Sequence, residues 1–142
     1  MTSRSFVFGL QAAGIVTVLI GFGHTAFHRI FGRKRAFANI SALNAKVFTT
    51  IHIATTLFLL LVGALSLRYS ELLANSTEPA SVLCVSLSLF WCWRLLWQVA
   101  YFKPSRIKHN SRLLVMHYIL IVFFAFLTIA YGVPVAARLW SA

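Results

Sequence analysis

Apolar residues fill four long stretches of the chain, and polar or basic residues gather in the segments between them. The four stretches run from about Phe6 to Ala26, Val47 to Leu67, Ala80 to Phe102 and Leu113 to Val133. As α-helices, which rise about 1.5 Å per residue, all four would cross about 30 Å of hydrocarbon. Prolines stand where the third helix would begin and where the third and fourth would end, at Pro79, Pro104 and Pro134. The pattern predicts four membrane-spanning helices.

The connections between these stretches are short, and short connections favour the packing of sequential helices beside one another. We therefore expect an all-α integral membrane protein, with four antiparallel transmembrane helices in an up-down bundle. No linker or change of composition marks an internal boundary, so residues 1–142 are expected to form a single domain.

The composition is typical of a membrane protein, and it changes the interpretation of the net positive charge. Of the 142 residues, 60% are hydrophobic and 11% are charged, whereas soluble domains carry about 25% charged residues. A net charge of +11 would suggest nucleic acid as the partner of a soluble protein. In a chain this apolar it indicates topology and contact with anionic lipid headgroups instead, so no nucleic-acid partner is expected.

The distribution of basic residues predicts an orientation. The segments 29–46 and 103–112 contain nine of the thirteen Lys and Arg residues and neither of the two acids. Loops rich in Lys and Arg stay on the cytoplasmic side of a membrane. Both basic loops are therefore expected in the cytoplasm and both termini outside, and the expected location is a bacterial inner membrane.

Arg94 poses the clearest question in the sequence. It lies inside the third apolar stretch, whereas the only acids, Glu71 and Glu78, lie before that stretch. An arginine at bilayer depth costs about 2.5 to 3.5 kcal/mol on insertion scales, so it needs a partner or a route to water. The partner must be a neutral side chain, a backbone carbonyl, a lipid phosphate, another subunit or a bound anionic ligand. Alternatively, the long side chain extends to the headgroups.

Small residues recur at every fourth position along the first stretch. The row consists of Gly9, Ala13, Thr17, Gly21 and Thr25. Such a row lets a second helix approach closely in a membrane. We expect it to pack inside the bundle. The alternative is self-association of two copies through Gly9, Ala13, Thr17 and Gly21.

Polar side chains from four different helices are expected at one depth, in the cytoplasmic half of the bundle. Counted at about 1.5 Å per residue, His52 lies about 9 Å in from Lys46 and His117 about 7.5 Å in from Arg112. The complete set is His24, His52, His117, Arg94 and Gln98, with His28 one turn beyond His24. His109 belongs to the third loop.

Neutral imidazoles on separate helices of a bundle can ligate haem iron or a metal ion. The candidate cofactor-binding residues are therefore His24, His52, His117, Arg94 and Gln98, and the candidate metal ligands are His24, His28, His52 and His117. The bound group would be haem b, a metal ion, a quinone or a lipid, with Arg94 beside its anionic or carbonyl oxygens. A purely structural network of interhelical hydrogen bonds is the other interpretation. A di-iron carboxylate site is excluded because the spans contain no acid.

Two functions follow from these patterns. The first is an accessory or scaffold subunit, in which Arg94 pairs with a partner subunit's acid or with a phospholipid. The second is a ligand-binding membrane subunit that uses the polar cluster for electron transfer or for handling a lipophilic molecule. The sequence favours the first, assigns no catalytic residue and does not indicate an enzyme.

Overall fold

The chain folds into helices joined by short segments. The computed structural model describes residues 3–30, 41–102, 104 and 110–141, and no strand occurs among them. The helices are α1 (Ser3–Ile30), α2 (Ala42–Arg68), α3 (Ser70–Asn75), α4 (Ala80–Ala100) and α5 (Ser111–Ser141). The all-helical fold predicted from the sequence is confirmed for this part of the chain.

Four of the helices are long and apolar enough to cross a membrane. These segments are Arg4–Thr25, Ala42–Arg68, Ala80–Ala100 and Ser111–Trp140. Large apolar side chains are exposed on every one of them, for example Phe8 at 69%, Leu61 at 59%, Leu89 at 65% and Val122 at 63%. Exposed apolar surface on this scale indicates contact with lipid or with another apolar partner.

Two helix boundaries differ from the sequence prediction. The expectation that Pro134 closes the fourth helix is wrong, because α5 continues through Pro134 to Ser141. Proline removes one backbone donor, and transmembrane helices tolerate that loss when their surroundings compensate for it. The second difference lies in residues 68–79, between the second and third apolar stretches, where the sequence predicts only a polar loop. This segment contains α3, which buries Leu73 and Ala74. Six residues are too few to show a helical period in the sequence.

The helices form two compact units, Gly14–Arg68 in one and Met1–Ala13 with Tyr69–Ala142 in the other. In the Gly14–Arg68 unit, α1 and α2 approach most closely at two glycines. A Cβ atom added at Gly63 would lie 2.9 Å from the carbonyl oxygen of Gly14 and 3.0 Å from the backbone nitrogen of Val18. Farther along α1, a Cβ atom at Gly21 would lie 3.1 Å from Leu60 Cδ2. Small residues therefore permit this helix pair to pack tightly.

The second unit is built around the pairing of α4 and α5. Trp91 stacks on Phe124 with ring centroids 5.6 Å apart, and Ser88 Oγ donates a hydrogen bond to the carbonyl oxygen of Thr128 at 2.9 Å. Near the start of α4, the Cys84 thiol lies 3.8 Å from the carbonyl oxygen of Leu73 in α3. The α4–α5 pair is thus held by aromatic stacking, a hydrogen bond and close packing, without an ion pair in these contacts.

The row of small residues on α1 is largely buried. Ala13 and Thr17 are both 0% exposed, and Gly21 packs against α2. A Cβ atom at Gly9 would meet nothing within 4 Å. Tight packing inside the chain thus accounts for Gly21. Self-association through this row stays a prediction, and Gly9 is the member that a second copy could reach.

Candidate functional site

The first polar contact joins two imidazoles within the Gly14–Arg68 unit. His24 of α1 and His52 of α2 place their Nδ1 atoms 3.2 Å apart, with ring centroids separated by 4.9 Å and ring planes inclined at 52°. Both side chains are partly buried. The hydroxyl of Thr56 donates a hydrogen bond to the backbone carbonyl of His52 at 3.0 Å, within α2. It therefore does not donate to the His52 imidazole.

The second polar contact lies in the other unit and is more deeply buried. The Gln98 amide nitrogen on α4 lies 2.9 Å from Nδ1 of His117 on α5, and the two side chains are 6% and 4% exposed. In this arrangement the amide donates and Nδ1 accepts, which leaves the imidazole proton on Nε2. A buried pair of this kind holds the two helices at a defined register.

Arg94 lies one turn before Gln98 on α4 and faces aromatic rings. Its guanidinium carbon is 5.3 Å from the ring centroid of Phe124 and 5.8 Å from that of Trp93. These distances are typical of cation–π interactions. In the part of the chain that the structure describes, the Arg94 guanidinium has no ion-pair or hydrogen-bond partner. The side chain is only partly buried, so an outside group can reach it.

Trp91 stacks on Phe124, one of the two aromatic rings that Arg94 faces. Their rings stack at an angle of 25° and are 1% and 2% exposed. Among the described residues, no acceptor lies within hydrogen-bond reach of Trp91 Nε1. Trp91, Arg94 and Gln98 follow one another by three and four residues, so they share one face of α4.

An exposed aromatic ladder runs along α4 beside Arg94. Trp93 and Trp97 have centroids 5.9 Å apart, and Trp97 stacks on Tyr101 at 4.8 Å with an interplanar angle of 14°. The three side chains are 53%, 42% and 61% exposed. Their four-residue spacing places them on one helix face. The ladder is therefore a rigid, amphipathic surface open to lipid or to another protein.

The predicted site residues thus occur as two contacts and one partly buried cation. His24 pairs with His52 in one unit, and Gln98 pairs with His117 near Arg94 in the other. Convergence of all five on one site stays a prediction. His109 and the side chain of His28 lie outside the described residues. Within the described ranges, no three His, Cys, Asp or Glu side chains group closely enough to hold a metal ion.

Sequence reasoning missed the part that α5 plays beneath Arg94. Phe124 lies seven residues after His117, which puts both on one face of α5. That spacing could have identified Phe124 as a neighbour of the α4 face, had the rotation of the two helices been known. The sequence placed His24 and His52 at one depth but did not signal that their rings would meet, because that contact depends on the rotation of α1 and α2.

The fold and these contacts define a class: an all-helical protein with four helices able to span a membrane and polar contacts between helix pairs. Comparison with protein-family models, with curated proteins and with solved structures found no match to the chain. The function is therefore argued from the residues themselves.

Proposed function

We propose that this chain is a small polytopic membrane protein that acts as an accessory subunit, and that Arg94 holds an acidic group on its partner. The observation that carries the proposal is the position of Arg94, which lies within a candidate span, is only partly buried and faces the rings of Trp93 and Phe124. A cation at that depth costs about 2.5 to 3.5 kcal/mol on insertion scales. An acid from a partner would offset that cost.

The acids of this chain are too far along the polypeptide to serve. Glu78 precedes the first residue of α4, and its carboxylate accepts a hydrogen bond from the Ser81 hydroxyl at 2.7 Å. Arg94 lies about 14 residues beyond Ala80, or about 21 Å along α4. The combined reach of the Arg94 and Glu78 side chains is about half of that distance. Glu71 lies on α3, which packs near the start of α4.

The surface around Arg94 suits a protein partner. The ladder of Trp93, Trp97 and Tyr101 supplies large, rigid contact area next to the guanidinium. Tryptophan, tyrosine and arginine carry much of the binding free energy at protein interfaces. Aromatic side chains also line membrane interfaces, where a lipid phosphate would be the alternative anion for Arg94.

The proposal includes a topology of four antiparallel spans with both termini outside a bacterial inner membrane. Within the α4–α5 pair, the later residue Gln98 contacts the earlier residue His117, and the earlier residue Ser88 contacts the later residue Thr128. The α1–α2 pair shows the same reversal, since His24 contacts His52 and Gly14 contacts Gly63. Contacts that run in opposite directions along two helices support an antiparallel arrangement. Nine of the thirteen basic residues fall in the two loops assigned to the cytoplasm, which supports the orientation.

Affinity capture of the tagged chain in a gentle detergent tests the proposal. The unmodified chain should recover one stoichiometric partner with an acidic residue in a membrane span, and Arg94→Ala should lose it. Arg94→Lys should retain part of the binding, because lysine keeps the charge but not the planar donor fork. Arg112→Ala, which removes a charge from an exposed position, is the matched control and should retain the partner. A lone chain with bulk lipid, or a partner retained by Arg94→Ala, contradicts the proposal.

A second candidate function, a ligand-binding membrane subunit, is favoured by the burial of His117 beside the face that carries Arg94. To ligate haem iron through Nε2, the imidazole would need its proton on Nδ1. Rotation of the Gln98 amide by half a turn would supply that arrangement, since its oxygen would then accept from Nδ1. A Soret band in the purified protein, with an α-band that sharpens on reduction and is lost in His117→Ala, would support haem. A featureless spectrum would remove haem from the candidates.

A further inference from the structure

We propose that His24 and His52 form a binding site for a divalent transition-metal ion, with Zn²⁺ the best match to their geometry. The inference does not rest on the accessory role of Arg94, which concerns different residues in the other unit. Two features carry it: the separation of the two Nδ1 atoms, and the close packing of α1 on α2 that holds them at this separation.

The separation of the nitrogens fits two ligands of one tetrahedral ion. Imidazole nitrogens bind Zn²⁺ at about 2.0 to 2.1 Å, so two of them at a tetrahedral angle stand about 3.3 Å apart. The Nδ1 atoms of His24 and His52 are 3.2 Å apart. The pair therefore has nearly the spacing that the ion requires before any ion binds.

One Nδ1 atom of the pair donates a hydrogen bond to the other at 3.2 Å, and the ring planes meet at 52° with centroids 4.9 Å apart. A nitrogen that binds a metal ion must be unprotonated. Binding of the ion would therefore replace the proton between the rings, and that proton would move to Nε2 of its own imidazole.

The scaffold keeps the two imidazoles in place. Gly14 and Gly63 bring the α1 and α2 backbones together, and Gly21 packs on Leu59 and Leu60 one turn before His24. A ligand pair held on two packed helices loses little conformational entropy when it binds an ion. The helices thus present a preformed half of a coordination sphere, and water or an exogenous ligand would complete it.

The donor set selects the class of metal. Two neutral imidazole nitrogens suit Zn²⁺, Cu²⁺, Co²⁺ and Ni²⁺, whereas Mg²⁺ and Ca²⁺ require oxygen ligands. The ion would keep its full double charge, because the two protein ligands are neutral. Open coordination positions of this kind are typical of catalytic or transport sites rather than of closed structural zinc sites.

Titration of the full chain in detergent with Co²⁺ tests the proposal. Four-coordinate Co²⁺ absorbs visible light much more strongly than six-coordinate Co²⁺, so the spectrum reports both stoichiometry and geometry. We expect one Co²⁺ per chain with strong absorption, displaced by Zn²⁺. Loss of an outer-shell partner weakens metal affinity by about 10- to 100-fold. His24→Ala and His52→Ala each remove a ligand, so each should weaken binding by at least that factor. Thr55→Val, three residues after His52, is the matched control and should leave the titration unchanged, because the Thr55 hydroxyl bonds to the Ile51 carbonyl of its own helix.

A cysteine substitution separates loss of a ligand from loss of the fold. In His52→Cys a thiolate replaces the imidazole, and thiolates bind Zn²⁺ and Co²⁺ well. We expect His52→Cys to restore binding and to add a sulfur-to-cobalt charge-transfer band that the unmodified chain lacks. Three results would overturn the inference: no saturable binding by the unmodified chain, binding that persists in both alanine variants, or equal loss in Thr55→Val.

Discussion

Gly63 of α2 lies against the backbone of Gly14 of α1 so closely that a side chain at position 63 has no room. A Cβ atom there would stand 2.9 Å from the Gly14 carbonyl oxygen and 2.6 Å from Val18 Cγ2. The valine methyl can move, but the carbonyl oxygen cannot move without displacing α1. Helices in a membrane depend on such close approach, because lipid offers no hydrophobic force to bring them together.

Gly63→Ala should therefore destabilise the chain. Alanine would otherwise help a helix by about 1 kcal/mol relative to glycine, whereas forced overpacking costs about 1 to 3 kcal/mol. We expect net destabilisation of up to about 2 kcal/mol, measured by unfolding in mixed micelles with circular dichroism. Gly23→Ala is the matched control, since a Cβ atom at Gly23 would meet nothing within 4 Å. Equal stability of the two variants would contradict the packing argument.

The buried contact between Gln98 and His117 should show measurable coupling. Hydrogen bonds between transmembrane helices average about 0.6 kcal/mol in double-mutant cycles, with values up to about 1.7 kcal/mol. We expect a value in the upper half of that range, because both side chains are almost completely buried. The cycle consists of Gln98→Leu, His117→Phe and the double variant, followed by unfolding in detergent micelles. The double variant should be more stable than the sum of the single effects allows, and simple additivity would refute the coupling.

The sequence predicted the long helices but not the contacts between them. Four apolar stretches of sufficient length predict four long helices, since only a helix satisfies its own backbone in lipid. The same pattern placed the end of the fourth helix at Pro134, because propensity rules for water overstate the effect of proline in such helices. The count along each helix placed Arg94 and Gln98 at the same depth as His117. The contacts of Arg94 with Phe124 and of Gln98 with His117 depend on helix rotation, which a single sequence does not specify.

Ser88 and Gly132 offer a test of the α4–α5 contact. A Cβ atom at Gly132 would lie 3.0 Å from Ser88 Oγ, and that hydroxyl donates to the carbonyl oxygen of Thr128 at 2.9 Å. Gly132→Ala should therefore cost about 1 kcal/mol of stability by crowding the hydroxyl.

In the Ser88→Ala background the same substitution should be less destabilising, because the crowded oxygen is gone. Unfolding of the two single variants and the double variant gives a coupling free energy, expected at about 0.5 to 1 kcal/mol. Ser86→Ala is the control background, since Ser86 is exposed and bonds only to the Val82 carbonyl of its own helix. A cost for Gly132→Ala that is the same in all backgrounds would show that the hydroxyl does not limit the approach.

The asymmetric distribution of basic residues predicts which side of the membrane each loop occupies. Alkaline phosphatase is active only outside the bacterial cytoplasm. Green fluorescent protein shows the opposite behaviour, because it fluoresces in the cytoplasm but not after export in an unfolded form. Fusion after Ala142 should give active phosphatase and no fluorescence, and fusion after Lys108 should give the opposite pair. Replacement of the four basic residues of segment 103–112 by glutamine should weaken this difference, because Lys and Arg in short loops hold the orientation. Fluorescence from the Ala142 fusion together with phosphatase activity from the Lys108 fusion would show that the chain inserts with the opposite orientation.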